Sequence, residues 1–150
     1  MKKLLFTPLF CLMLIGGLQA QEYKVITTVE SIVPGGLGRS RMISPTQGID
    51  SEEFTTERTN GKKGNAQKSV KRKNLRIDKF EETKLLNFYS LTGINFQNIA
   101  SNDALVTDKL NMMAEKGWEL MFVTSGVESN AGELDGEGIF ITRYVFKRNQ

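Results

Sequence analysis

The sequence has little of the chemistry on which most enzymes and metal centres depend. Among its 150 residues there is no histidine and a single cysteine, Cys11, which lies in an N-terminal apolar run. The rest of the chain can therefore form neither a disulfide nor a zinc site built from Cys and His. The same absences exclude Ser-His-Asp and Cys-His catalysis. We predict no catalytic residue, no cofactor and no bound metal.

A strong net charge is also lacking, because 20 basic residues stand against 17 acidic ones and leave +3. Two of those positive charges, Lys2 and Lys3, come directly before the apolar run 4–18, and Ala20 follows it. This pattern predicts a secretory signal peptide over residues 1–20, cleaved after Ala20. The alternative is an uncleaved membrane anchor, but the run is shorter than the ~20 residues that span a bilayer. We expect an exported protein of net charge +1, in the periplasm or outside the cell.

The last third of the chain predicts one amphipathic helix followed by a β-hairpin. Ser101 or Asn102 is the expected N-cap, and Gly117 is expected to end the helix in a left-handed conformation. Trp118 would then anchor the helix to the sheet as a core residue. Two strands follow, the second over about 139–147, and alternation places Trp118, Leu120, Phe122 and Thr124 on one face of the first. The stripe at helical spacing comprises Leu105, Val106, Leu110, Met112, Met113 and Ala114.

Earlier elements are shorter. Residues 22–30 alternate as a half-buried strand, Pro34-Gly35-Gly36 indicates a turn, and 39–43 suits a second strand. Residues 78–91 suit either a helix with a capping box or a strand paired with 39–43, and we favour the strand. The expected fold is α+β over 21–150: a small, mostly antiparallel sheet, in the order β-β-β-α-β-β, with one main helix on one face.

A charged segment over about 46–77 lacks any apolar pattern and is expected to be a long, disordered loop. Its cations attract polyanions such as lipopolysaccharide, phospholipid headgroups or nucleic acid. Aromatic residues for base stacking are missing from 58–76, which disfavours sequence-specific nucleic-acid binding. A solvated loop without a ligand is the alternative. The candidate binding residues are Arg58, Lys62, Lys63, Lys68, Lys71, Arg72, Lys73 and Arg76.

The run Glu115-Lys116-Gly117-Trp118-Glu119-Leu120 joins the predicted helix to strands that end in Phe146-Lys147-Arg148. With the early strand at Glu22-Tyr23-Lys24-Val25, it resembles the bacterial domain-of-unknown-function 4177 family, over the first strand and the last third of the chain. Residues 34–41 and 87–102 are similar to the exported versions in Bacteroidetes-type bacteria. The long charged insertion departs from the compact family. The resemblance implies a fold and brings no activity with it.

Apolar residues on both faces of the predicted strands suggest a protein partner or a homodimer formed through a sheet face. The hypothesis is a non-catalytic binding or accessory protein of the cell envelope, acting through a sheet surface and the basic loop. One alternative is a carboxylate-dependent periplasmic hydrolase, which would need converging acids. Another is a structural subunit of an envelope assembly. The acidic loop 128–137 does not have the residue spacing of a helix-loop-helix calcium site.

Overall fold

The computed structural model describes residues 20–31, 40–63, 71–128 and 139–149, where nine strands and one long helix form. Residues 1–19 of the expected signal peptide, the turn at 34–36 and the hairpin loop 129–138 lie outside this part. Two short 3₁₀ helices, Glu52–Phe54 and Arg72–Leu75, complete the described part. The elements are β1 (Gln21–Ser31), β2 (Arg41–Pro45), β3 (Arg58–Thr59), β4 (Lys62–Lys63), β5 (Phe80–Lys84), β6 (Tyr89–Ser90), β7 (Gly93–Ile94), α1 (Phe96–Glu115), β8 (Glu119–Val127) and β9 (Ile139–Asn149).

Five strands form one sheet in the order β5-β2-β1-β9-β8, and every neighbouring pair is antiparallel. The first and last strands of the chain make the central pair, in register from Gln21↔Asn149 to Ser31↔Ile139. β3 with β4, and β6 with β7, form separate two-stranded hairpins. The strands of the main sheet and the helix follow one another as predicted, so the α+β fold class is confirmed.

The ambiguous segment 78–91 contains a strand rather than a helix. β5 pairs with β2 from Arg41↔Lys84 to Pro45↔Phe80, and the Thr46 N–H donates to the Lys79 carbonyl oxygen at 3.2 Å. The strand interpretation is therefore confirmed and the capping-box helix is wrong. The backbone groups of this segment are satisfied by the neighbouring strand, which outweighs the local cap signal.

The helix begins earlier than the sequence predicted. Its N-cap is Asn95, whose side-chain oxygen accepts the Asn98 N–H at 3.1 Å, so the prediction of Ser101 or Asn102 is wrong. Asn102 lies in the second turn and is 2% exposed. It falls on the buried side with Val106, Leu110 and Met113, at the spacing of one helix face. Leu105 and Met112, by contrast, are more than a third exposed and do not widen the buried stripe as predicted.

The helix ends in a Schellman motif. Gly117 has φ +78°, its N–H donates to the Ala114 carbonyl at 2.9 Å, and the Trp118 N–H donates to the Met113 carbonyl at 3.0 Å. This geometry turns the chain directly into β8 and places the indole of Trp118 in the core. The buried apolar cluster is Ile26, Met42, Leu85, Met113, Trp118 and Phe146, with Val106, Leu110 and Tyr144 packed against it.

A β-bulge in β8 reverses the predicted orientation of the residues after it. Leu120 pairs with Phe146 on the face covered by the helix, but Phe122 pairs with Val145 on the opposite face. The register shift lies between Leu120 and Phe122 and inserts Met121 as the extra residue. The prediction that Leu120 and Phe122 share a face with Thr124 is therefore wrong. Beyond the bulge, Val123 faces the helix side, opposite Tyr144.

Candidate functional site

The first group of predicted binding residues lies in a short hairpin instead of a disordered loop. Arg58 pairs with Lys63 across β3 and β4, and the turn between these strands is Asn60-Gly61. Both turn residues have positive φ, 54° and 73°, as a two-residue hairpin turn of type I′ requires. Asn-Gly is the strongest short-range hairpin signal, so this dipeptide could have identified the turn from the sequence.

The second group forms a basic turn, which we define as Lys71, Arg72, Lys73 and Arg76 around the 3₁₀ helix Arg72–Leu75. The Asn74 N–H donates to the Lys71 carbonyl at 2.8 Å, and the Arg76 N–H donates to the Lys73 carbonyl at 3.3 Å. All four cationic residues are exposed, and Leu75 among them is 51% exposed. Lys68 lies outside the described residues. The structure thus gathers four of the eight predicted cations on one turn.

The charges of the basic turn are not used in ion pairs within the described residues. The four ion pairs there join Arg41 to Glu82, Lys109 to Glu81, Lys147 to Glu119 and Arg148 to Glu22. All of them link the main sheet or the helix, and none reaches the basic turn. Four positive charges within six residues therefore face solvent together, where they attract an anionic ligand and repel each other.

The basic turn leads directly into one end of the sheet. The Asp78 N–H donates to Gln47 Oε1 at 3.1 Å, and the Thr46–Lys79 hydrogen bond closes the same end. Phe80 follows at once, opposite Pro45, and is 47% exposed. An exposed aromatic side chain therefore stands only four residues after Arg76, at the end of the sheet that holds the turn.

Phe80 belongs to an apolar surface that we call the outer face, on the side of the sheet opposite the helix. Tyr23 is 61% exposed and Phe122 57% exposed on this surface. The strand register assigns the face: Val25 and Phe122 both pair with Val145, whose neighbour Phe146 points into the core. The apolar residues of the outer face are Tyr23, Val25, Val29, Ile43, Phe80, Phe122, Ile141 and Val145, and the charged residues Arg41, Glu82, Lys84, Glu119, Arg143 and Lys147 share the face with them.

An open cleft of about 590 Å³ lies where β1, the end of β2 and the Trp118 corner meet. The Arg148 guanidinium stacks 4.5 Å from the centre of the Trp118 ring, and its Nη2 donates to Glu22 Oε2 at 2.6 Å. This stacked, hydrogen-bonded arginine covers the indole, so Trp118 acts as a core anchor rather than a ligand platform. The cleft is lined by Glu22, Tyr23, Lys24, Val25, Pro45, Thr46, Gln47, Gly48, Trp118 and Arg148.

Two titratable groups in the described part have shifted pKa values. The hydrogen bond from Lys109 lowers the pKa of Glu81, and burial raises the pKa of Tyr144 against the hydrogen bond with Thr28. Within residues 20–31, 40–63, 71–128 and 139–149, no three His, Cys, Asp or Glu side chains converge as a metal site would require. No helix of this part is both long and apolar enough to cross a bilayer.

Comparison of the chain with known proteins found no relative. No family model matches the chain, no curated protein matches it, and no solved structure matches it. The resemblance to the domain-of-unknown-function 4177 family therefore stays a prediction.

Proposed function

We propose that the protein is an exported, non-catalytic binding protein of the cell envelope, which attaches to anionic lipid headgroups through the basic turn. The observation that carries the proposal is the set of four cations on one exposed turn, without an acidic partner among the described residues. The outer face supplies an apolar surface beside it for a protein partner. Export to the periplasm or the cell exterior is part of the proposal and follows from the N-terminal sequence.

Lipid headgroups suit this turn better than a soluble polysaccharide because Leu75 stands exposed among the cations. An apolar side chain between cations can enter the boundary between headgroups and acyl chains, whereas a hydrated polymer offers it nothing. Each Lys or Arg close to an anionic membrane surface contributes about 1 kcal/mol. Four such residues would then contribute about 4 kcal/mol, or roughly a thousandfold in affinity.

The test is co-sedimentation of the purified protein with vesicles of phosphatidylglycerol mixed into phosphatidylcholine. The double variant Lys71→Gln/Lys73→Gln should bind roughly 30-fold more weakly, because two contributions of about 1 kcal/mol are lost. The matched control, Lys84→Gln/Lys116→Gln, removes the same charge from exposed positions outside the turn. It should change binding less than about threefold, since screening confines each charge to within a Debye length of about 8–10 Å.

Leu75→Ser separates the two sources of anionic ligand. It should weaken binding to the vesicles and leave retention on dextran sulfate unchanged, because only the membrane has an apolar interior. Equal loss of vesicle binding in the two lysine variants would show that net charge alone acts, and would refute a site at the basic turn. Equal binding to vesicles of pure phosphatidylcholine would also refute it.

A further inference from the structure

The strand β8 is the edge of the main sheet on the side of β9, and its outer edge pairs with no other strand of the described residues. Its nine residues extend for about 30 Å at roughly 3.4 Å per residue. Every one of them is exposed, and five are large apolar residues with exposures between 41% and 60%. These are Leu120, Met121, Phe122, Val123 and Val127.

The opposite edge of the sheet is protected in the way soluble proteins protect their edges. β5 has only five residues, and three of them, Glu81, Glu82 and Lys84, are charged. Charged side chains on a short edge strand discourage pairing with another chain. β8 has one such device, the bulge at Met121 near its beginning, but from Leu120 to Val127 it contains no charged residue and no proline. One edge of the same sheet is thus closed to pairing and the other is open.

The helix adjoins β8, but every residue of the strand stays exposed. Met113 is buried and Val106 and Leu110 are partly buried in the cluster that includes Ile26 of β1 and Tyr144 and Phe146 of β9. Beyond the bulge, β8 carries apolar side chains on both faces, with Phe122 on the outer face and Val123 on the helix side. A strand that is apolar on both faces, with a free row of backbone N–H and C=O groups, is a template for adding a further strand.

We propose that this further strand is β8 of a second copy of the chain, paired antiparallel about a two-fold axis near the middle of the strand. A two-fold interface brings the same surface together from both copies, which requires a surface complementary to itself. A neutral, apolar strand meets that requirement because no like charges meet at the centre. The two five-stranded sheets then form one ten-stranded sheet with a continuous outer face.

The position of the only charged residue on β8 favours the antiparallel orientation. Glu119 stands at the beginning of the strand, 3.4 Å from the Lys147 ammonium nitrogen of the neighbouring β9. Antiparallel pairing places Glu119 of each copy near Val127 of the other, at opposite ends of the interface. Parallel pairing would bring the two Glu119 carboxylates side by side, where like charges destabilise the pair.

The experiment is sedimentation velocity of the purified protein between about 1 and 100 µM, a range that brackets the micromolar dissociation constants of weak interfaces. Phe122→Lys replaces an apolar side chain that faces Thr124 of the second copy and brings two ammonium groups into diagonal positions across the axis, so it should weaken the dimer at least about tenfold. The matched control is Phe80→Lys, the same change at a half-exposed aromatic residue of the outer face, but on the protected edge. It should leave the dimer intact.

Three outcomes would overturn the proposal. A protein that stays monomeric up to about 100 µM, where weak interfaces form, has its β8 edge free or occupied by something other than a second copy. A dimer broken equally by Phe122→Lys and Phe80→Lys packs face to face through the outer face. A dimer indifferent to both variants uses neither surface. Near-ultraviolet circular dichroism of Trp118 confirms that both variants fold.

Hydrogen exchange identifies the contact directly. Backbone amides of residues 120–127 should exchange more slowly at about 100 µM than at about 1 µM, while those of β5 should not change with concentration. This inference goes beyond the proposed attachment to lipid, and the two can fail separately. Lys71→Gln/Lys73→Gln should weaken vesicle binding without changing the dimer, and Thr124→Lys on β8 should weaken the dimer without removing a cation from the turn.

Discussion

Replacing Asn102 should destabilise the protein more than any other single substitution of a polar helix residue. The side chain is 2% exposed and joins three elements. Its Oδ1 accepts the Leu86 N–H at 2.8 Å, and its Nδ2 donates to the Leu86 carbonyl at 2.7 Å and to Glu30 Oε1 at 3.0 Å. The amide thus completes both backbone groups of Leu86 as a neighbouring strand would, at the point where the chain leaves β5.

The size of the effect follows from the groups left without partners. Asn102→Ala leaves one N–H and one C=O of Leu86 and one carboxylate oxygen of Glu30 unsatisfied, and each buried polar group in that condition costs about 1–3 kcal/mol. The Leu86 side chain is 40% exposed, so water can reach part of this region and lower the total. We expect a loss of about 2–4 kcal/mol in the free energy of unfolding.

The assay is urea denaturation followed by the fluorescence of Trp118, the only tryptophan of the chain and a core residue. The matched control is Asn111→Ala, the same change at an exposed position of the same helix. It should fall within about 0.5 kcal/mol of the original protein, because Ala is also the better helix former. If the two substitutions changed the free energy of unfolding equally, the hydrogen bonds of the buried Asn102 amide would contribute nothing measurable to stability.

Asn102→Asp adds a test in which the pH changes the result. Burial next to Glu30 raises the folded-state pKa of the introduced carboxyl above its unfolded value of about 3.9. A raised folded-state pKa means that stability is retained below about pH 4 and lost as the pH rises through the folded-state value. Asn102→Asp should therefore be less stable than Asn102→Ala at about pH 7 and no less stable at about pH 4. A difference independent of pH would show that the site is open to solvent.

Two further predictions concern the helix end and the helix–sheet ion pair. Gly117→Ala should cost about 1–2 kcal/mol because φ is +78° there, whereas Gly126→Ala, with open space around it, should cost less than about 0.5 kcal/mol; urea midpoints measure both. Lys109→Met removes the hydrogen bond that lowers the pKa of Glu81. In the original protein, this bond contributes stability at pH values above the unfolded-state pKa of Glu81, and the contribution is lost as the pH falls through the folded-state pKa. The substitution should therefore lower stability at neutral pH and have less effect in acid. The exposed Glu81 limits this loss to less than about 1 kcal/mol, and the urea midpoints of variant and original protein should converge once the pH falls below the folded-state pKa of Glu81.

Individual strands could be predicted from the sequence where the local pattern was strong, but the pairing of the first strand with the last could not. Alternation in 22–30 and 139–147 identified the two central strands, and Gly117 identified the end of the helix. The beginning of the helix was not predictable in the same way. Asn102 has the side chain of an N-cap and stands directly before the apolar stripe, yet it is buried because its partners are Glu30 and Leu86, 72 and 16 residues away. No local rule carries that information.

For the basic turn, the residues could be predicted from the sequence but their exposure could not. Its residues could be listed from composition alone, because clustered lysine and arginine are visible in any sequence. Their accessibility could not, since it depends on where the acidic residues lie. Asp50, Glu52, Glu53 and Glu57 precede the turn in the sequence, but the ion pairs of the described part involve acids on β1, β5 and β8 instead. The positions of these acids in the sequence therefore gave no measure of the free charge on the turn.

The bulge at Met121 explains why the surface of β8 was the hardest feature to predict. Residues 120–123, Leu-Met-Phe-Val, are apolar at every position, so a shift by one residue exchanges one apolar side chain for another and leaves no trace in the alternation. In a strand with one polar and one apolar face, uninterrupted alternation after the bulge would place polar residues in the core, and the sequence would then have revealed the shift. The absence of a polar face is also what leaves the edge open. The run of four apolar residues therefore both hides the register in the sequence and supplies the surface on which pairing with a second copy would depend. Substitution of Phe122 tests whether that surface forms the pair.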